Sequence, residues 1–204
     1  MSKHSDSDGS SNGQRVLKAA KAVFIRDGAT VFSARRVAKE VGLSLRSVQH
    51  YYPTTEKLLA AVVDLVIQEF ESAYEELYKK LPFNAEARLL GVSDILLASN
   101  WQQDTRRVFY GLYALSCYKK FAAKLMDRMY ARHTHQLATL IAAARSHLTE
   151  KRCMELAVIV AATLDGTMIF TGPGEGRLIS KSALSKSVRA GILALIDAPV
   201  IRPA

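Results

Sequence analysis

Cysteine is scarce. The chain of 204 residues carries only Cys117 and Cys153, too far apart for metal-ligand spacing, and so sparse a pair suits reduced thiols in the cytosol. No CxxC pair, HExxH or GxGxxG occurs, and no Ser-His-Asp order can be placed, so the chain reads as a protein that is not an enzyme and holds no metal or cofactor. The stretch GPGEGR resembles a phosphate loop only in its glycines, because it lacks the GK[ST] ending and follows no strand. The first residues are polar, with no apolar signal core, and no run of about 18 uncharged apolar residues is present. The longest candidate, Cys153 to Phe170, is interrupted by Glu155 and Asp165. These readings predict a cytoplasmic protein without a membrane partner. Five prolines and eleven glycines enforce few breaks, and strand-like alternation is rare.

What is present is apolar mass at helical spacing. Hydrophobic residues make up 49% of the chain, enough for a real core, and the period predicts an all-α protein. The net charge of +9 is concentrated at one end: the first 57 residues carry ten basic side chains against five acidic ones. Such a balance suggests an anionic partner.

Residues 1–13, rich in Ser, Asp and Gly, read as a flexible arm. A helix follows in QRVLKAAKAVFIRDG, with Val16, Leu17, Ala20, Val23 and Phe24 on one stripe and Asp27-Gly28 closing it. Ser33 can cap a second helix, ARRVAKEVG, whose Val37, Ala38 and Val41 face inward and which Gly42 ends. Ser44 can cap a short third helix, Leu45 to Tyr51, stopped by Pro53. Thr54 or Thr55 caps a long fourth helix reaching about Lys80. Further helices are expected at roughly 84–99, 103–118, 120–147, 150–171 and 181–196, with TGPGEGR as a loop. The organisation predicted is an arm (1–13), a head of short helices (14–57) and a larger helical body (58–204).

Two short capped helices joined by a glycine turn form a helix-turn-helix, whose second helix enters the major groove of double-stranded DNA. Arg46 can pair bidentately with guanine and Gln49 with adenine. Ser44, Ser47, His50 and Tyr51 can reach phosphates or base edges, and Leu45 a thymine methyl. Arg35, Arg36 and Lys57 stand at or near helix starts where phosphates would pass, and the helix N-termini at Ser33 and Ser44 favour an anion. Singly, each of these polar residues could equally be solvated. Their combination with the caps, the glycine turn, the aromatic pair and the proline points to DNA.

The block from about Arg15 to Val63, through AAKAVFIRDG, SARRVAKEVGLS, SVQHYYP and EKLLAAV, resembles the N-terminal domain of the TetR (tetracycline repressor) family. The resemblance implies a homodimeric, ligand-responsive transcriptional regulator of about nine helices, with a three-helix head and a larger helical body. It implies a phosphate-touching cap at Ser33, a recognition helix over Ser44 to His50, and an aromatic pair, Tyr51 and Tyr52, with one ring toward phosphate and one inward. Two departures stand out. Gln49 replaces a frequent aromatic, and Thr55 stands where a lysine often follows the proline, the lysine being displaced to Lys57.

The body matches that family only in layout. LAVIVAATLDGTMIF is apolar nearly all round, and the next helix aligns Leu184, Val188, Gly191, Ile192 and Leu195, with small residues beside them. Two copies of this pair would make a four-helix dimer interface; the alternative is that the residues are monomer core. Trp101, Phe109, Tyr110, Tyr113, Cys117, Met126, Met129, Tyr130, His133 and Met168 are the side chains of a small-molecule pocket, and equally of a core. Asp165, a lone carboxylate on an apolar helix, can cap a dimer contact or bind a cationic or hydroxylated ligand. The basic run Arg106, Arg107, Lys119, Lys120, Lys124 and Arg128 reads as a solvated face, or as an anion site. The expectation is a repressor releasing an inverted-repeat operator on binding a small-molecule effector. The rival is a helical ligand-binding or redox-sensing protein with a vestigial helix-turn-helix.

Overall fold

The computed structural model describes residues 5–171 and 179–199. Nine α-helices and no strand occur among the described residues: α1 Ser5–Asp27, α2 Ala34–Val41, α3 Leu45–Tyr51, α4 Thr55–Tyr78, α5 Ala85–Asn100, α6 Gln103–Ser116, α7 Lys120–Ala144, α8 Glu150–Phe170 and α9 Lys181–Asp197. The class is all-α, as the periodicity predicts. The helix α1 starts upstream of Gln14, so part of the expected arm 1–13 is helical; no proline interrupts it, and extending an existing helix needs no new nucleus. Past Thr171, the expected TGPGEGR loop lies outside the described residues.

The caps are local chemistry. Ser33, in extended geometry, accepts from the Arg36 N–H, and Ser44 accepts from the Ser47 N–H. Asn84, Thr149 and Ser180 do the same for α5, α8 and α9. At the other end of α2, Gly42 adopts φ 71°, a left-handed conformation that only glycine takes without steric penalty, and its N–H reaches Ala38 O. The chain can then turn at once into α3.

The chain divides into two compact units, Met1–Ser72 with Arg107–Arg128, and Ala73–Arg106 with Met129–Ala204. The first has its own core: Val16, Ala20, Val23 and Phe24 of α1, Val37 and Ala38 of α2, Val48 of α3, Leu58, Leu59 and Val62 of α4, and Val108 of α6. The head's core therefore extends past Lys57 into α4. Phe24 meets Phe32 edge-on, 5.7 Å between centroids and 84° between planes, a geometry worth about 0.5–1.5 kcal/mol beyond burial. Gly111 of α6 admits the Phe24 ring: a Cβ there would lie 3.2 Å from Phe24 Cζ.

The second unit packs α5, α8 and α9 together through Leu89, Val92, Leu96 and Leu97, through Leu156, Ala157, Val160 and Leu164, and through Val188, Ile192 and Ile196. By length and mean hydropathy (1.7), α8 could cross a membrane, unlike the sequence reading, which counted its charges as interruptions. Its buried residues give it the work of a core helix in this unit. Ion pairs tie the unit outside the core: Arg145 joins Asp197 and Glu86, and Asp94 holds Ser185 and Arg189.

Candidate functional site

The helix α3 has seven residues and one buried side chain, Val48, which is fully enclosed by the head's core. That single anchor fixes the helix's rotation. Arg46, Gln49 and His50 are consequently exposed, while Leu45, Ser47 and Tyr51 are half-buried at the edges. Ser44 and Ser47 are engaged locally: their hydroxyls lie 2.8 Å apart, and Ser44 caps the helix. Tyr51 stacks edge-on against His50 at 5.1 Å, and its ring also lies against Gly13 of α1. Tyr52 donates a long hydrogen bond, 3.5 Å, to Gly13 O, and burial pushes its phenol above the ordinary value. Both tyrosines thus brace α3 against α1.

Between α1 and α2, an open depression is lined by Arg26, Val31, Ser33, Arg35, Arg36, Lys39 and Glu40. It is strongly basic, and it contains an ion-pair clasp that sequence reasoning missed. Asp27, at the end of α1, accepts from Arg26 Nε at 2.8 Å and from Arg36 Nε at 2.9 Å. Arg26 also makes a two-pronged contact with Glu40, 3.0 Å on each arm. Arg26, against the cost of desolvation and with help from Arg36, holds the Asp27 carboxyl down to about 2. Glu40 helps lock α2 to α1. Arg36, read as a phosphate contact, has its Nε committed to Asp27. Arg35 and Lys39 are exposed on the same side. Lys57 is exposed in the first turn of α4, whose N-terminus Thr54 caps by accepting from the Lys57 N–H at 3.1 Å.

The residues expected in an effector pocket divide between the units. Phe109, Tyr110, Tyr113, Cys117 and Met126 belong to the first, and Trp101, Met129, Asp165 and Met168 to the second. Met126 and Met168 are buried, whereas Tyr110, Tyr113 and Cys117 are exposed. Trp101 closes α5: its backbone N–H bonds Leu97 O. Among the described residues its buried indole Nε1 has no hydrogen-bond partner, and Lys181 Nζ stands 5.3 Å from the ring centroid.

Asp165 sits in a small polar cluster within the second unit. Buried Asn100, absent from the sequence reading, donates from Nδ2 to Leu164 O at 3.0 Å. Burial raises the Asp165 carboxyl above the usual range, against the pull of His133 first and of Tyr130 and Asn100 after it. Burial likewise lowers His133, against the pull of Asp165.

The expected dimer residues are split by the packing of α9. Val188 and Ile192 face the unit's own core, Leu184 and Leu195 are half-buried, and Gly191 is exposed with Ser187, Ala190 and Ala194. On α8 the outward residues are Val158, Ile159, Ala162, Thr163, Ile169 and Phe170, with Ile169 and Phe170 about 70% exposed (69% and 73%). The central basic run is not one solvated face. Arg106 donates to Thr171 O at 3.1 Å, and Arg128 pairs with Asp64.

Comparison with known proteins agrees with this geometry. The family model for bacterial regulatory proteins of the tetR family matches residues 16–62, which run from the core of α1 into α4. Over 53 residues the chain is 40% identical to the HTH-type transcriptional regulator PksA of Bacillus subtilis; the match spans 26% of each chain, about a quarter of that relative's length. The fold as a whole matches a candidate transcriptional regulator from Pseudomonas aeruginosa, with TM-score 0.79, 15% identity, and coverage of 92% of this chain and 91% of that one. It also matches a candidate regulator from Saccharomonospora viridis, solved in complex with choline, with TM-score 0.75, 18% identity, and coverage of 90% and 96%. Residues 16–62 thus match the N-terminal domain of the tetR family of bacterial regulatory proteins, and the chain as a whole shares the helical fold of these solved structures.

Proposed function

We propose that the protein is a homodimeric repressor that reads an inverted-repeat operator with α3 and releases it when a small molecule binds the body. The observation that carries this reading is the rotation of α3: Val48 is buried, so Arg46, Gln49 and His50 face outward together. Arginine and glutamine are the side chains whose paired donors and acceptors match guanine and adenine edges in the major groove. Arg35, Lys39 and Lys57 supply positive charge beside α3 for the phosphates. Arg36 contributes chiefly by holding α2 to α1 through Asp27.

A two-fold protein suits a two-fold operator. The outward stripe of α8 (Ile159, Thr163, Ile169, Phe170) and the small residues of α9 (Ser187, Ala190, Gly191, Ala194) form the face for a second copy in this reading. An apolar, small-residue surface allows close helix approach. The choline complex of a similar fold supports a small-molecule effector in the body. Effector binding then favours a head spacing that misfits the operator, with a coupling of about 1–3 kcal/mol.

Sheared genomic DNA passed over the immobilised protein and sequenced after washing tests this. A short inverted repeat is expected among the retained fragments, with affinity falling steeply as salt rises. Diffuse, salt-labile retention with no motif would refute it and leave the rival reading of a ligand sensor with a vestigial helix-turn-helix.

A further inference from the structure

We propose that Arg26 and Glu40 are positioning residues for DNA reading: with Asp27 and Arg36 they fix the pose of α2 on α1, and through α2 the placement of α3, an inference that rests on the base-reading role of α3 above. The apolar anchor of α2 is slight. Its eight residues bury only Ala34, Val37 and Ala38. Two methyl groups and one isopropyl group interlock poorly, and the hydrophobic effect has no direction, so burial holds α2 down without fixing its tilt. The chain passes directly from α2 to α3: Gly42 turns it, and the Leu43 N–H bonds Ala38 O at 3.0 Å. Since α3 encloses only Val48, its pose follows that of α2. A tilt of about 10° over eight residues, a length of about 12 Å, moves the far end by about 2 Å. Side chains that read base edges need placement within about 0.5 Å.

The clasp supplies the missing direction. All three guanidinium nitrogens of Arg26 donate: Nε to Asp27 at 2.8 Å, Nη1 to Glu40 at 3.0 Å, and Nη2 to both acids, at 3.1 and 3.0 Å. Arg36 Nε reaches Asp27 Oδ2 at 2.9 Å. Arg36 and Glu40 stand four positions apart on one face of α2, so consecutive residues of α1 grip that helix at two points. Two points fix an angle where one fixes only a distance, and guanidinium–carboxylate pairs are directional. The charges also sit where they do not favour their own helices. Asp27 is in the last turn of α1 and Arg36 in the first turn of α2, each opposing its helix dipole. Only the pairing between the helices resolves both. Arg26 and Arg36 are half-exposed and Glu40 a third exposed, so these ion pairs add little to overall stability. Their effect falls on where α2 and α3 lie.

The test uses the full chain, the duplex it enriches from random-sequence DNA, and a shuffled duplex of the same length and composition. Fluorescence anisotropy at fixed salt gives a Kd for each, and their ratio measures reading apart from general attraction to DNA. Charge alone predicts that Glu40→Ala, with one negative charge fewer, binds both duplexes more tightly. Positioning predicts the opposite on the selected duplex: binding about tenfold weaker, with the shuffled duplex held as before or more tightly. Arg26→Lys keeps the charge but loses the two-pronged pair; it should lower the ratio similarly, and it serves if Glu40→Ala does not fold. The double variant should lose no more than the larger single loss, because one clasp is broken once. Amide exchange in α1 should stay close to the parent's in both single variants. Tighter binding of both duplexes alike, an unchanged ratio, additive losses, or a ratio that falls only together with exchange protection would overturn the positioning role. A parent that enriches no sequence removes the base-reading account and this role with it. A parent that does, with variants that keep its ratio, removes the positioning role alone.

Discussion

Two substitutions two residues apart on α3 are expected to fail in opposite ways. Val48 is fully enclosed, so Val48→Ala removes two methyl groups from a packed core. Transfer of that apolar surface is worth about 1.5 kcal/mol. The cavity left behind brings the loss to roughly 2–3 kcal/mol. Arg46 is exposed and forms no hydrogen bond or ion pair with any described residue. Arg46→Ala should therefore change the head's stability by less than about 0.5 kcal/mol. Its effect should appear on DNA instead, as a loss of about 1–3 kcal/mol, or roughly 5- to 150-fold in Kd. Amide hydrogen exchange in α1 and α3 reads the opening of the head separately from the second unit. Fluorescence anisotropy on a selected operator at fixed salt reads affinity. A looser head with binding intact in Arg46→Ala, or unchanged exchange in Val48→Ala, would contradict this placement of the two side chains.

Other consequences follow from particular contacts. The Asp27 carboxyl is depressed from 3.8 to about 2, so its stabilisation is present above pH 3.8 and is lost as pH falls toward 2; exchange in α1 and α2 should accelerate across that window in the parent and show a shallower dependence in Asp27→Asn. Gly42→Ala places a side chain at φ 71° and should cost roughly 1–2 kcal/mol in head stability, measured by the same exchange. Among the described residues no heavy atom outside α9's own backbone lies within 4 Å of a Cβ built at Gly191, so Gly191→Trp should leave the protomer's melting intact while sedimentation shows the proposed dimer lost. An unchanged dimer would move the interface elsewhere.

The head was legible because its signals are local. The bounds of α3, Leu45–Tyr51, match the sequence expectation, since a serine cap stands before it and Pro53 shortly after. The stripe Val16, Ala20, Val23 and Phe24 is buried as its spacing predicts. The clasp of Arg26, Asp27, Arg36 and Glu40 was not legible, because it joins the end of one helix to the side of another and depends on the angle between them. Asn100 was missed for a similar reason: its partner Leu164 lies 64 positions away. Periodicity placed Val188, Gly191 and Ile192 together on α9, yet could not say which of them the protomer itself covers. The packing of α5 and α8 decides that, burying Val188 and Ile192 and leaving Gly191 outside.

Whether α3 reads bases is decided by one selection experiment. Random-sequence duplex DNA is enriched in parallel on the parent protein and on Arg46→Ala, at the same salt, and the two motifs are compared. The parent should select an inverted repeat, and the variant the same repeat with preference lost at one base in each half-site, placed symmetrically. An identical motif from both proteins would contradict the placement of Arg46 in the groove, and with it the assignment of α3 as the reading helix.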